Sequence, residues 1–363
     1  MTVVLVLTSP HSVAPERVTS VLVGMATRVE NKPPRTERDV DHPTDAPTSG
    51  GRAATAMVFS PSPLLTVTVE SRPDGASDIH LHAGGQGMWI ARLLAVLGLD
   101  ARLCGPFGGE TGAVLTALVE REGVLVRSAG GTADAGGYVH DRRGGERVEI
   151  ATAPAPPLPR HELDELYNVA LVEGLDADVA VLAGPDDTDV LPTDTYRRLA
   201  GDLTSNGAWV VADLSGEYME AAVAGGVAVL KVSHEDLVEH GHARSDEPDE
   251  LMAVGERLAR EGTETVVVSR ADQPALVLAH GSWLELRMPR FTLVDHHGAG
   301  DSMTAGIAAG LARGADLLDA LRLGAAAGAL NTTRHGLATG ERDLIERLAR
   351  RVEVRPFEHE TTD

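Results

Sequence analysis

From Val179 onward the chain repeats one pattern, five or six β-branched or apolar residues followed by a stretch with helical spacing. The apolar runs are Val179–Ala183, Trp209–Asp213, Val227–Val232 and Thr265–Ser269, and segments such as Thr195–Thr204 separate them. A run without polar alternation must be buried on both faces, which happens when helices cover both sides of a parallel sheet. The expected fold is therefore α/β, a doubly wound, mainly parallel sheet flanked by helices. In that architecture ligands bind beyond the carboxyl ends of the strands, where Asp213, Lys231 and Ser269 fall.

With 363 residues and 43% hydrophobic content the chain can bury a large core, and at 3% aromatic that core must be aliphatic and alanine-rich. A formal net charge of −22 argues against nucleic acid or an anionic membrane as partner. It leaves room for a local cluster of donors around a phosphorylated small molecule. The single cysteine, Cys104, excludes an internal disulfide and points to a reducing compartment; its Leu-Cys-Gly-Pro setting suits a small core residue. No run of about twenty apolar residues occurs. The apolar start Met1–Leu7 lacks a preceding positive charge, which makes it a poor secretory signal, so a cytoplasmic location is expected.

Residues 31–54 are rich in Pro, Thr, Asp, Arg and Gly, a composition that cannot offset its own ordering entropy. The expected organisation is an N-terminal extension over 1–55, partly disordered, a domain over 56–357 and a short tail over 358–363. Two segments interrupt the α/β rhythm. Alternation after Leu64 and the strand-like flanks of Arg142-Arg143-Gly144-Gly145 predict antiparallel strands at about 64–82 and 136–150.

The densest chemistry lies in Leu293–Arg313. Gly298, Ala299 and Gly300 let the backbone approach a ligand, and their N–H groups open a helix near Asp301 whose dipole favours an anion. Asp301, at the mouth of that turn, can accept the proton of an attacking hydroxyl while the amides stabilise phosphate oxygens. Gly-x-Gly-Asp before a helix is equally an ordinary loop with Asp301 as N-cap.

This segment resembles the C-terminal signature of the PfkB family of carbohydrate kinases, in which a Gly-Ala-Gly-Asp turn carries the catalytic base. Ala83–Gly87 followed by Ile90-Ala91-Arg92 is similar to the family's N-terminal glycine signature, and Gly105–Gly112 to the segment that follows it. Order and spacing agree from about Ala56 to Phe357, most closely with the branch of 1-phosphofructokinase and tagatose-6-phosphate kinase. The resemblance implies a ribokinase-like fold with a small β lid, ATP and Mg2+ as cofactors, a potassium requirement left open, and a sugar or sugar phosphate as partner. It also implies a homodimer through the exposed face of the lid.

On this resemblance Asp301, Gly298, Ala299 and Gly300 form the catalytic turn. Gly84, Gly85, Gln86 and Arg92 fall to the substrate, joined by His140 and Arg142 among the polar residues of the lid. Lys231, Ser269, Asn331 and Gly336 fall to the nucleotide, and Asp236 with Glu235 to magnesium. Capping the next helix is an equal use for a carboxylate at 236. Arg92 can equally sit on a solvated helix side, and the alanine-rich stretch Gly324–Asn331 can be a close packing face as well as an adenine contact. The chain departs from the branch with Gln86 for a lysine, Trp89 for an asparagine, Leu64 for a sugar-binding aspartate, Ser233 for the asparagine of an Asn-x-x-Glu pattern and Ala271 for a glycine. The expected activity is ATP-dependent phosphorylation of a sugar or sugar phosphate hydroxyl, 1-phosphofructokinase-like, converting fructose 1-phosphate to fructose 1,6-bisphosphate. The departures keep two alternatives in view, a non-catalytic or weakly catalytic sugar-phosphate sensor and a nucleoside kinase.

Overall fold

The structure is a computed structural model that describes residues 52–358 apart from 132, 186–189, 289–290, 293, 295–296, 335–337 and 339. The expected N-terminal extension, but for 52–55, and the tail past 358 lie outside the described residues. Strand β1 (Thr55–Phe59) opens the domain and leads to β2 (Leu64–Ser71), β3 (Ser77–Gly84), α1 (Gln86–Val96), β4 (Asp100–Gly105), α2 (Gly109–Arg121) and β5 (Leu125–Ser128). Next come β6 (Gly136–Asp141), β7 (Val148–Ala153), α3 (Arg160–Asp176), β8 (Val179–Ala183), α4 (Asp194–Ser205), β9 (Val210–Asp213) and α5 (Gly216–Gly225). Then β10 (Val227–Ser233), α6 (His234–Glu239), α7 (Pro248–Glu261), β11 (Thr263–Arg270), β12 (Gln273–Ala279) and β13 (Ser282–Arg287) follow. The chain closes with α8 (Ala299–Ala312), α9 (Leu317–Asn331), α10 (Arg342–Ala349) and β14 (Glu353–Pro356).

The main sheet runs β14-β13-β12-β11-β10-β9-β8-β1-β4-β5. Every pairing from β11 to β5 is parallel, and β12, β13 and β14 add an antiparallel edge that the strand rhythm did not reveal. Parity along each parallel strand explains the unbroken apolar runs. Ala56 and Val58 of β1 face one core with α1, α8 and α9, while Met57 and Phe59 face the other with α3, α4 and α5. Cys104 is wholly buried, and burial pushes its thiol up to about 12, so it is core and not a nucleophile. Connectivity reverses between β1 and β8, which creates the crevice where such sheets bind ligands.

A separate four-stranded sheet has the order β3-β2-β6-β7. Its strands reach Gly84 and Ala153, past the expected limits of 82 and 150, because Leu64 pairs with Gly84 and Gly137 with Ala153. Ile79, Leu81, Val67, Val69, Val139 and Val148 share one face by register. Ile79 is 64% exposed and Val148 59%.

Candidate active site

Parallel pairing sets Asp213 of β9 opposite Lys231 of β10. Both are buried, and Lys231 Nζ donates to the two Asp213 carboxylate oxygens at 3.1 and 3.3 Å. Thr304 of α8 donates to Asp213 Oδ2 at 2.6 Å. Burial by itself would strip the lysine of its proton. The carboxylates of Asp213, Asp301 and Asp236 outweigh that cost and hold the ammonium above the ordinary lysine range.

Helix α8 brings its first turn to this ammonium. Gly298 caps it at φ 73°, a left-handed conformation that a side chain resists. Gly300 leaves room for the lysine, since a methyl added there would fall 2.4 Å from Lys231 Nζ. Asp301, 8% exposed, lies three residues before Thr304, so the two share a helix face. Ala299 packs beneath, its carbonyl so close to Gly328 of α9 that a methyl there would lie 2.9 Å away. Asn331, at the end of α9, donates Nδ2 to the His297 carbonyl at 2.7 Å and so ties down the same turn. Its Oδ1 is buried without a hydrogen-bond partner among the described residues. Ala325, Ala326 and Ala327 are buried in the core, which makes the alanine-rich stretch a helix-packing face. Gly336 lies outside the described residues.

Ser233 and Asp236 form a capping box on α6, with Asp236 N donating to Ser233 Oγ at 3.0 Å and Ser233 Oγ to Asp236 Oδ2 at 2.5 Å. The capping role expected as an alternative for Asp236 is therefore present. Its charge also reaches Lys231. Glu235 does not join the cluster, because it lies about 100° round the helix from Asp236 and is exposed. Ser269, next to last in β11, lies opposite Ser233, and its carbonyl is 3.2 Å from His234 Nδ1. Two residues on, Ala271 takes φ 46°, so the chain keeps a glycine-like turn without the glycine.

The N-terminal glycines, expected to let the backbone approach a substrate, are also needed by the fold itself. A methyl on Gly85 would meet the Ser62 carbonyl at 2.7 Å, one on Gly87 would meet Ser60 Cβ at 2.4 Å, and one on Gly84 would meet Thr66 Oγ1 at 3.2 Å. The chain after β1 fills the space they leave. Gln86 Oε1 accepts from Gly184 N at 2.5 Å, which seats it at the end of β8 beside the switch point. Arg92 is not presented to a phosphate. It pairs with Glu122 and donates to the Ala83 carbonyl at 3.1 Å, because a cation that close to a carboxylate at the helix surface is captured by it. Arg142 is also displaced from the expected site. It sits at the hairpin tip, at the opposite end of the lid from the Leu64–Gly84 pair, with Glu70 3.9 Å away. His140 is buried inside the lid, its Nε2 3.2 Å from Thr68 Oγ1 and its ring against Tyr138. Burial first, then Arg147 and Arg142, lowers its pKa.

Two members of the central cluster were not singled out as site residues from the sequence, Asp213 and Thr304. The signal for Asp213 was its position ending a parallel strand, and for Thr304 its spacing of three from Asp301.

The pattern of the pfkB carbohydrate kinase family matches residues 64–344. An ATP-dependent 6-phosphofructokinase isozyme 2 of Mycobacterium tuberculosis is 34% identical over 271 residues, covering 73% of this chain and 78% of that protein. A 1-phosphofructokinase of Bacillus subtilis is 29% identical over 275 residues, covering 75% and 88%. The crystal structure of phosphofructokinase-2 from Escherichia coli in complex with potassium superposes with a TM-score of 0.67 at 24% identity, covering 83% of this chain and 99% of that one. The fold is ribokinase-like, and the chain belongs to the pfkB family of carbohydrate kinases.

Proposed function

We propose that the protein transfers the γ-phosphoryl group of ATP to a hydroxyl of a ketohexose phosphate, with fructose 1-phosphate as the leading acceptor and fructose 1,6-bisphosphate as product. The observation that carries this reading is a buried Lys231, held by Asp213 and set against the Gly298–Asp301 turn. The acceptor hydroxyl loses its proton to Asp301 as its oxygen bonds to the γ-phosphorus and the bond to the ADP oxygen breaks. The amides of the 298–301 turn and the Lys231 ammonium stand where the equatorial phosphate oxygens gather charge. Gln86, fixed by the Gly184 amide, is the side chain positioned to orient the acceptor at the switch point.

Asp236 is the carboxylate that would hold magnesium accompanying the nucleotide, and the ion would supply neutralisation of the phosphate charge. Asp236, with one carboxylate oxygen engaged in the capping box, fits a site that supplies a single carboxylate through water. The buried Oδ1 of Asn331, without a hydrogen-bond partner among the described residues, supports a potassium site beside the turn. The exposed apolar face carrying Ile79, Leu81 and Val148 supports a homodimer through the lid. Among the described residues no helix is long and apolar enough to cross a membrane, and a cytoplasmic location fits this reading.

A second reading has its own observation. Gln86 is neutral and Arg92 is spent on Glu122, so the substrate side supplies less cationic charge than an acceptor phosphate demands. That favours an uncharged acceptor, a free sugar or a nucleoside. The deciding experiment is ADP release from magnesium-ATP across fructose 1-phosphate, fructose 6-phosphate, tagatose 6-phosphate, free sugars and nucleosides, with Asp301→Asn alongside. Turnover with a ketohexose phosphate that vanishes in the variant supports the first reading, turnover confined to uncharged acceptors supports the second, and binding without turnover supports a sensor.

A further inference from the structure

We infer that Asp213 is a positioning residue, one that holds the Lys231 ammonium over the Gly298–Asp301 turn and keeps it from closing on Asp301. The inference rests on the kinase reading above and deepens it. Three observations meet at this carboxylate. Both of its oxygens accept from Lys231 Nζ, one of them also accepts from Thr304 Oγ1, and the whole arrangement is buried. Lys231 and Asp213 come from paired strands, and Thr304 comes from the same helix whose first turn carries Asp301, so the network ties the sheet edge to the catalytic turn.

The geometry has a clear consequence for the base. The groups facing the Lys231 ammonium are Asp213 from β9, Asp301 and Gly300 from α8, and Asp236 from α6. Without Asp213 the buried cation would turn to a carboxylate that remains, Asp301 or Asp236, and an ammonium paired with Asp301 would make that carboxylate a poorer proton acceptor. Held by two oxygens, the ammonium keeps a fixed position and a free N–H to spend on the transferring phosphoryl group. Thr304 adds a second hydrogen bond to Asp213 Oδ2 and so helps fix the orientation of the carboxylate. Gly300 belongs to the same device, since only the absent side chain lets Nζ stand there.

The test is a double-mutant cycle with kcat and KM measured for wild type, Asp213→Asn, Lys231→Met and the pair. Asp213→Asn is expected to lower kcat by about 10–10²-fold while acceptor KM moves by less than about threefold. The double variant should be no slower than Lys231→Met, because Asp213 acts through the lysine. Losses that multiply, or a loss seen in acceptor KM with kcat retained, would overturn the inference. Thr304→Val covers the case in which Asp213→Asn does not fold: a kcat loss that disappears in the Lys231→Met background supports the assignment, and a loss that persists there overturns it. A further arm needs no turnover. Calorimetry with β,γ-imido-ATP and with AMP should show Asp213→Asn weakening the triphosphate about tenfold and leaving AMP unchanged. A wild type that turns over no acceptor defeats the kinase reading alone, whereas equal triphosphate affinity in wild type and Asp213→Asn defeats the positioning role.

Discussion

At Gly84–Gly87 the space left by missing side chains is filled by the chain itself, by Ser60, Ser62 and Thr66, whereas at Gly298–Gly300 it is filled by the ammonium of Lys231. Both clusters are glycine turns opening a helix, and in sequence they look alike. The first links lid strand β3 to α1 and packs against the Ser60–Ser62 segment. The second admits a buried charge, and charge in a dry site is worth more than in water. A glycine signature thus reports that something comes close, and only the neighbouring residue says whether that something is structure or chemistry.

Three substitutions separate the two roles. Asp301→Asn should have the largest effect, a fall in kcat of about 10²–10⁴ with an unchanged thermal midpoint; steady-state kinetics and calorimetry on one preparation would show it. A variant with near-normal turnover would break the proposed mechanism. Gly300→Ala comes next, because its methyl meets Lys231 Nζ at 2.4 Å. It should cost activity by about 10–10²-fold with little loss of stability, since the obstructing atom is the end of a flexible side chain. Gly87→Ala is its counterpart in the packing cluster, with a methyl 2.4 Å from the buried Ser60 Cβ. Here a stability loss of about 1–3 kcal/mol in urea titration is expected, with kcat of the folded fraction retained. Reversal of that pattern between the two alanines would sink the comparison.

The lid supplies the pH-dependent case. His140 has a lowered pKa, chiefly from burial, with Arg147 and Arg142 adding to it. A histidine depressed in the folded state contributes stability that is present above its unfolded value of about 6.5 and is lost as pH falls through the folded value. The urea midpoint of wild type should therefore drop faster between pH 7.5 and 5.5 than that of His140→Gln, and parallel curves would contradict this. The smallest expected effect is at Ala271, whose φ of 46° strains an alanine. Ala271→Gly should stabilise the protein by roughly 0.5 kcal/mol, net of the added freedom of the unfolded chain, and calorimetry can resolve the sign.

The α/β class, the parallel strands and the Gly298–Asp301 turn were legible because each is a local pattern. Val179–Ala183 was bounded to the residue, since an unbroken apolar run admits a single reading in a two-sided sheet. The antiparallel strands β12 and β13 were missed for a different reason. Ala275–Ala279 is as apolar and buried as the parallel strands, but β11, β12 and β13 follow one another without an intervening helix, and a β-bulge shifts the register near Arg270. Arg92 and Arg142 were expected near a substrate from the family resemblance and their place in the helix and the lid. Spacing carries no information about Glu122 or Glu70, which lie about thirty or more residues away in sequence and claim those cations in space.

What the chain determined by itself was the list of parts, namely strands that must be buried on both faces, a helix start built for an anion and a carboxylate at its mouth. Tertiary structure decided which parts meet. Asp213, Lys231 and Thr304 are distant in sequence and come together because two strands pair in parallel and α8 docks over their carboxyl ends. Packing also decided their state, since a lysine is buried and charged only where carboxylates surround it, and no local pattern can bring them there.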